Sequence, residues 1–186
     1  EVIVNKGRQL LLQSVNAEDF EKTTEIYSYL NGLTEASAFK AFSFSEKLSI
    51  NTLTNDWSSV LLLLQNYDLE SKLYAYPQAF PIMMLLGESI EKKETELKQK
   101  IDETALPTQD TNLLHIFLRI ISGYRFDAET NQMVKAFRAT YKTTPYDAFF
   151  NANFPQNPNL GTMSFALGPM MLFSSGKIAS DFKLHV

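Results

Sequence analysis

The sequence predicts a mainly α fold, an antiparallel array or bundle of six to seven helices with a small C-terminal β-hairpin. Three observations point there. Apolar residues recur at i, i+3 and i+4 through most of residues 6–150. Helix-start and helix-stop residues punctuate that pattern at short intervals. Beyond Gly161 the apolar period changes from helical to alternating. The 186 residues read as one domain: a helical body over 6–151, a linker over 152–161 and a β-patterned tail over 162–186. A domain of this length buries roughly two thirds of its unfolded surface. It therefore needs no disulfide or metal to hold it. With 14 Phe, 8 Tyr and one Trp, aromatic side chains should dominate the core.

Val2-Ile3-Val4 is a β-branched run that reads as a strand or as the lead-in to a helix. Residues 6–15 follow helical spacing, with Leu11 and Val15 on one face and Leu12 beside them; Gly7 weakens the pattern. Asn16 reads as an N-cap with Asp19 three residues on. Phe20, Tyr27, Leu30 and Leu33 then line one helix face, and Asn31-Gly32 marks its end. Residues 34–55 mix helical and alternating spacing at Phe39, Phe42 and Phe44. Helix is expected there in part, with a break near 51–55. Asp56 and Trp57 open a clearer helix through Val60, Leu61, Leu64 and Tyr67, apolar nearly all round and so expected to be central.

Pro77 sets a loop, and Pro81 suits the first turn of the next helix. That helix begins buried at Ile82 to Leu86. Over 88–103 it keeps only Ile90, Leu97 and Ile101 as an apolar line, with Glu88–Lys92, Glu94–Lys98 and Glu96–Lys100 spaced i, i+4. It is expected to protrude or lie flat on the surface. Pro107 ends it. Asp110 or Thr111 caps a helix to about Tyr124 whose polar stripe is only Asn112, His115, Arg119 and Ser122, the best candidate for the buried central helix. Residues 127–142 form another, with Met133, Val134, Phe137 and Tyr141 inside. Thr144-Pro145-Tyr146-Asp147 is a further helix start. Residues 151–161 are rich in Asn and Pro and read as turns. Met163, Phe165, Leu167, Met171 and Phe173 alternate, as do Ile178, Phe182, Leu184 and Val186, with Ser174-Ser175-Gly176 as a hairpin turn between them.

Phe117, Ile120, Tyr124, Phe137 and Pro145 fall at the spacing of the large-aromatic, Leu, Tyr, Phe and Pro positions of a tetratricopeptide repeat. This single stretch resembles one such repeat, although Ile121 stands where that family has Gly, and Met133 and Thr140 where it has Ala. The resemblance implies a helical hairpin and a peptide- or protein-binding surface.

The net charge is −4, and the densest basic stretch, 92–100, is interleaved with Glu. Nucleic acid is therefore not an expected partner. No apolar run is long enough to span a bilayer. Absence of Cys excludes disulfides, thiolate catalysis and Cys-ligated metal. A start at Glu1 rather than Met favours an extracytoplasmic location, secreted or periplasmic, over a cytoplasmic one.

Few residues suggest chemistry. His115 would need a nucleophile and an orienting acid to act as a general base; otherwise it is a polar-stripe histidine. His185 falls on the polar side of the last strand. The pairs Glu18/Asp19, Asp102/Glu103 and Asp127/Glu129 are the carboxylates a hydrolase would use, yet helix-start positions explain most of them. No phosphate loop or nucleophile elbow is present. No cofactor or metal is called for. Two aromatic groups stand out: Tyr74, Tyr76 and Phe80 around two prolines, and Tyr146, Phe149 and Phe150. They either line a groove for a peptide, protein or small ligand or plug the ends of the helical layer. The expected function is a non-enzymatic protein- or ligand-binding or assembly module. The alternatives are a carboxylate-based hydrolase and a structural module oligomerising through its C-terminal strand.

Overall fold

The computed structural model describes residues 2–35, 42–67 and 79–154. Among these it forms eight helices and no strand. They are α1 (Val2–Asn16), α2 (Phe20–Glu35), α3 (Phe44–Leu53), α4 (Trp57–Gln65), α5 (Ala79–Glu103), α6 (Thr108–Ile121), α7 (Ala128–Thr140) and α8 (Asp147–Asn153). That is one or two more than the sequence suggested. Helix α3 falls in the segment of mixed spacing, where helix was expected in part. The expected hairpin and tail over 162–186 lie outside the described residues.

The helix ends follow local capping chemistry. Val2-Ile3-Val4 is helical from the start, not a strand. The cap before α2 is Asp19 rather than Asn16: Asp19 Oδ1 accepts from the Lys22 N–H at 3.0 Å, while Asn16 ends α1. The turn between them is closed by Glu18 at φ 56°. Helix α2 runs through Asn31-Gly32 to Glu35, because Gly in a helix costs only about 1 kcal/mol and packing overrides it. Ser43 and Glu46 form a reciprocal capping box at the start of α3. Asn55 at φ 57° breaks the chain where a break was expected, and Asp56 caps α4 through the Ser59 N–H at 3.1 Å. Asp110 is no cap. Helix α6 begins after Pro107 without a side-chain cap, and Asp110 instead accepts from the Tyr146 hydroxyl at 2.7 Å.

Helix α5 packs against α1, α3 and α6, so its thin apolar line is enough to seat it; it does not protrude. Ile90, Leu97 and Ile101 are all buried. Its exposed face carries i, i+3 ion pairs, Lys93–Glu96 and Lys100–Glu103, rather than the i, i+4 pairs its sequence offered. Helix α6 is the buried helix expected: Leu113, Leu114, Ile116, Phe117, Leu118, Ile120 and Ile121 are within 2% of full burial. Helix α4 is less enclosed than its Leu run implied, since Leu62 is 59% exposed.

An apolar cluster runs from Val4 to Phe150. Through it passes a relay of edge-on and tilted rings, Phe44–Tyr67–Phe149–Phe150–Phe137–Tyr141, with centroids 4.7–5.5 Å apart, linking α3 to α7. Such pairs contribute about 0.5–1.5 kcal/mol each beyond their area. One ion pair sits inside this apolar body. Arg8 Nη2 of α1 donates to Glu46 Oε1 of α3 at 2.5 Å, and neither side chain is more than 5% exposed. Burial pushes the Glu46 carboxyl up from its ordinary value; Arg8 and hydrogen bonds from Ser43 pull it back.

Candidate binding groove

The two helices that open the chain are amphipathic twice over. Their inner faces bury Val4, Leu11 and Val15 of α1 and Leu30 of α2. The helices cross closely at Gly7. A Cβ there would stand 2.5 Å from Leu30 Cδ2 and 2.8 Å from Cδ1. Only a residue without a side chain lets α2 approach so near. On the outer side a second apolar line remains. Val2 is 83% exposed, Ile3 63%, Leu10 44%, Tyr29 62% and Leu33 40%.

Between these lines lies a shallow apolar groove of about 530 Å³, floored by Gly7, Ile26 and Leu30. Its walls are Ile3 and Leu10 from α1 and Tyr29 from α2, with Lys6 on one rim and Glu25 on the other. Exposed Glu25 also accepts from Lys22 Nζ at 2.6 Å. Leu33, read from sequence as an inward residue, lies on this outer side. The Ile3–Leu10 and Ile26–Tyr29–Leu33 spacings are themselves helical, and this second stripe is the signal by which the groove was findable.

Two smaller clefts share Phe137 and Tyr141. One, of about 190 Å³ between α6 and α7, is lined also by Asn112, Ile116 and Met133. The other, of about 320 Å³ between α7 and α8, is polar, with Arg138, Lys142 and Asp147. Neither brings two carboxylates together.

The residues singled out in the sequence are placed as follows. Tyr74 and Tyr76 lie outside the described residues; Phe80 is in α5, but its side chain lies outside them. Tyr146, Phe149 and Phe150 are at most 2% exposed. Phe149 and Phe150 stand in the ring relay, and Phe150 also edges the α7–α8 cleft. The Tyr146 hydroxyl receives Gln65 Nε2 at 3.2 Å and donates to Asp110, tying α4, α6 and α8. Burial, then the bond to Asp110, pushes its pKa up to about 12.

His115 Nε2 lies 2.9 Å from Asp102 Oδ1. Burial holds the imidazole below its ordinary value, Asp102 acting against this and Lys98 with it. One turn on, Arg119 donates to Thr130 Oγ1 at 2.9 Å, pairs with the cap residue Asp127 and reaches Glu129 at 3.1 Å. Half-buried Glu94 across the seam is raised by burial; Arg119 and Lys98 oppose this, and Glu129 and Glu91 add to it. So Asp102, Asp127 and Glu129 are drawn into ties between α5, α6 and α7, while Glu103 stays paired with Lys100 inside α5. Glu18 and Asp19 stay at the α1–α2 turn, Glu18 lying 3.8 Å from Lys92. Among the described residues no group of three His, Cys, Asp or Glu is set to hold a metal, and no helix is long and apolar enough to cross a membrane.

Residues 117–145, compared above with one tetratricopeptide repeat, comprise the last turn of α6, the connection over 122–127, α7 and the turn after it. The chain matches no family model, no curated protein and no solved structure.

Proposed function

We propose that this chain is a non-catalytic binding and assembly module whose working face is the α1–α2 groove. One observation carries the reading: five large apolar side chains stand 40–83% exposed along one helix pair, and four of them, Val2, Ile3, Leu10 and Tyr29, line an apolar cavity of about 530 Å³. Contiguous apolar surface of this kind is rare on a monomer and marks a contact site. A groove between two helices suits the apolar face of a third helix or an elongated apolar ligand. The helical body behind it acts as a rigid frame, with the seam of His115, Arg119, Asp102 and Asp127 as structural ties. A carboxylate-based hydrolase would need two converging acids in a pocket; the clefts described above each carry at most one.

The test uses 1-anilinonaphthalene-8-sulfonate as an apolar probe on the folded chain. The native protein should bind it saturably. Leu10→Glu and Tyr29→Glu, both at exposed positions, should abolish binding while leaving the helical circular dichroism unchanged. Probe binding that neither variant alters would overturn the reading.

A further inference from the structure

The groove is self-complementary, and we infer that it pairs with the same groove of a second copy of this chain to form a two-fold dimer. The inference rests on the groove being the working face. In a two-fold interface each residue of one copy meets its counterpart set on the other, so a surface must complement itself. This one does. Its apolar floor is flanked by a cation on α1, Lys6, and an anion on α2, Glu25. Turned about a two-fold axis that runs along the groove, the Lys6 rim of one copy faces the Glu25 rim of the other, twice over. The pair Glu25 holds within its own chain is with Lys22, each side chain at least 52% exposed. Such a pair contributes only about 0–1 kcal/mol and is readily shared.

The area is consistent with two copies. An aromatic side chain covers roughly 150–250 Å² and an aliphatic one less, so the exposed parts of Val2, Ile3, Leu10, Tyr29 and Leu33 amount to at most about 500 Å² per copy. Two copies bury up to about 1,000 Å², the lower bound for a specific interface. Next to Leu33, Gly32 has nothing within 4 Å of where its Cβ would stand, which leaves room for a neighbouring backbone. An interface of this size gives a reversible dimer with Kd on the order of micromolar or weaker.

Sedimentation equilibrium of the full chain over about 1–500 µM tests this, since association depends on concentration. The expected result is a monomer–dimer equilibrium. Lys6→Glu and Glu25→Lys, both at exposed sites, should each raise Kd at least tenfold by setting like charges opposite one another. The double swap should restore Kd to within about threefold of the native value. Three outcomes overturn the proposal: a monomer throughout, a dimer indifferent to both single swaps, or a weakened dimer that the double swap fails to restore. A monomer that still binds the apolar probe at Leu10 and Tyr29 removes the second copy but keeps the groove as a binding face. A monomer that binds no probe removes both.

Discussion

Substituting alanine at two glycines on the same pair of helices should have opposite effects. Gly7 and Gly32 both lie within helices, α1 and α2. In each, Gly→Ala gains about 0.5–1 kcal/mol of helix propensity. At Gly32 the new methyl meets nothing within 4 Å, so the gain stands alone. At Gly7 it meets Leu30 Cδ2 at 2.5 Å, Cδ1 at 2.8 Å and Cγ at 3.0 Å. Leu30 is 1% exposed, and swinging away from the new methyl would take it out of the core toward the groove it floors. Overpacking of this kind costs about 1–3 kcal/mol, so Gly7→Ala should come out destabilised by up to about 2 kcal/mol. The difference between the two variants isolates the overpacking, because the propensity gain is common to both. Urea unfolding followed by the fluorescence of Trp57, the single tryptophan and 3% exposed, measures it. Low chain concentration keeps association out of the result. In a Leu30→Ala background the same Gly7→Ala should turn neutral or stabilising, a coupling of about 1–3 kcal/mol. Equal stabilisation by both single substitutions would refute the close crossing of α1 and α2.

Two further outcomes follow from the buried charges. Glu46→Gln keeps a residue able to complete the capping box but removes the carboxylate facing Arg8, and should cost about 3 kcal/mol in the same urea assay. A loss below about 1 kcal/mol would show that the pair contributes little. His115, held below its ordinary 6.5 chiefly by burial, binds its proton later in the folded than in the unfolded chain. Its contribution to stability is present above 6.5 and is lost as pH falls below it. Between about pH 7.5 and 5.5 the stability of the native chain relative to His115→Gln, from urea midpoints, should fall on acidification; a difference that stays constant or grows contradicts the assignment.

Long periodic stretches were legible in the sequence. Helices α4, α6 and α7 were placed with their buried faces, because their apolar residues recur over several turns and Asp56 and Asp127 cap the first and last. What escaped reading depended on distant partners. Asp110 looks like a cap until Tyr146, thirty-six residues on, is seen to donate to it. Arg8 sits in register with Val4, Leu11 and Val15 on the buried face of α1, but nothing near it reveals Glu46, thirty-eight residues away. The Ser43-x-x-Glu46 spacing does signal the start of α3, a signal hidden by the aromatic alternation of Phe42 and Phe44. Composition alone does not tell a ligand groove at Tyr146, Phe149 and Phe150 from what the structure has there, two rings of the relay and a tyrosine hydroxyl tied to Gln65 and Asp110. The groove itself was masked by a similar ambiguity: an apolar residue on a second helix stripe looks like core until the first stripe is seen to fill the core alone.

The buried pair also acts as a rotational index. An apolar helix face can roll against its neighbours at modest cost, since one aliphatic side chain replaces another with little loss. Each step of one residue along α1 corresponds to about 100° around its axis. A roll of that size would bring Ile3 or Leu10 toward the interior, but it would also carry the Arg8 guanidinium away from Glu46 and strand two charges in an apolar surround. The ion pair therefore holds α1 at the one setting that leaves its second apolar line facing outward.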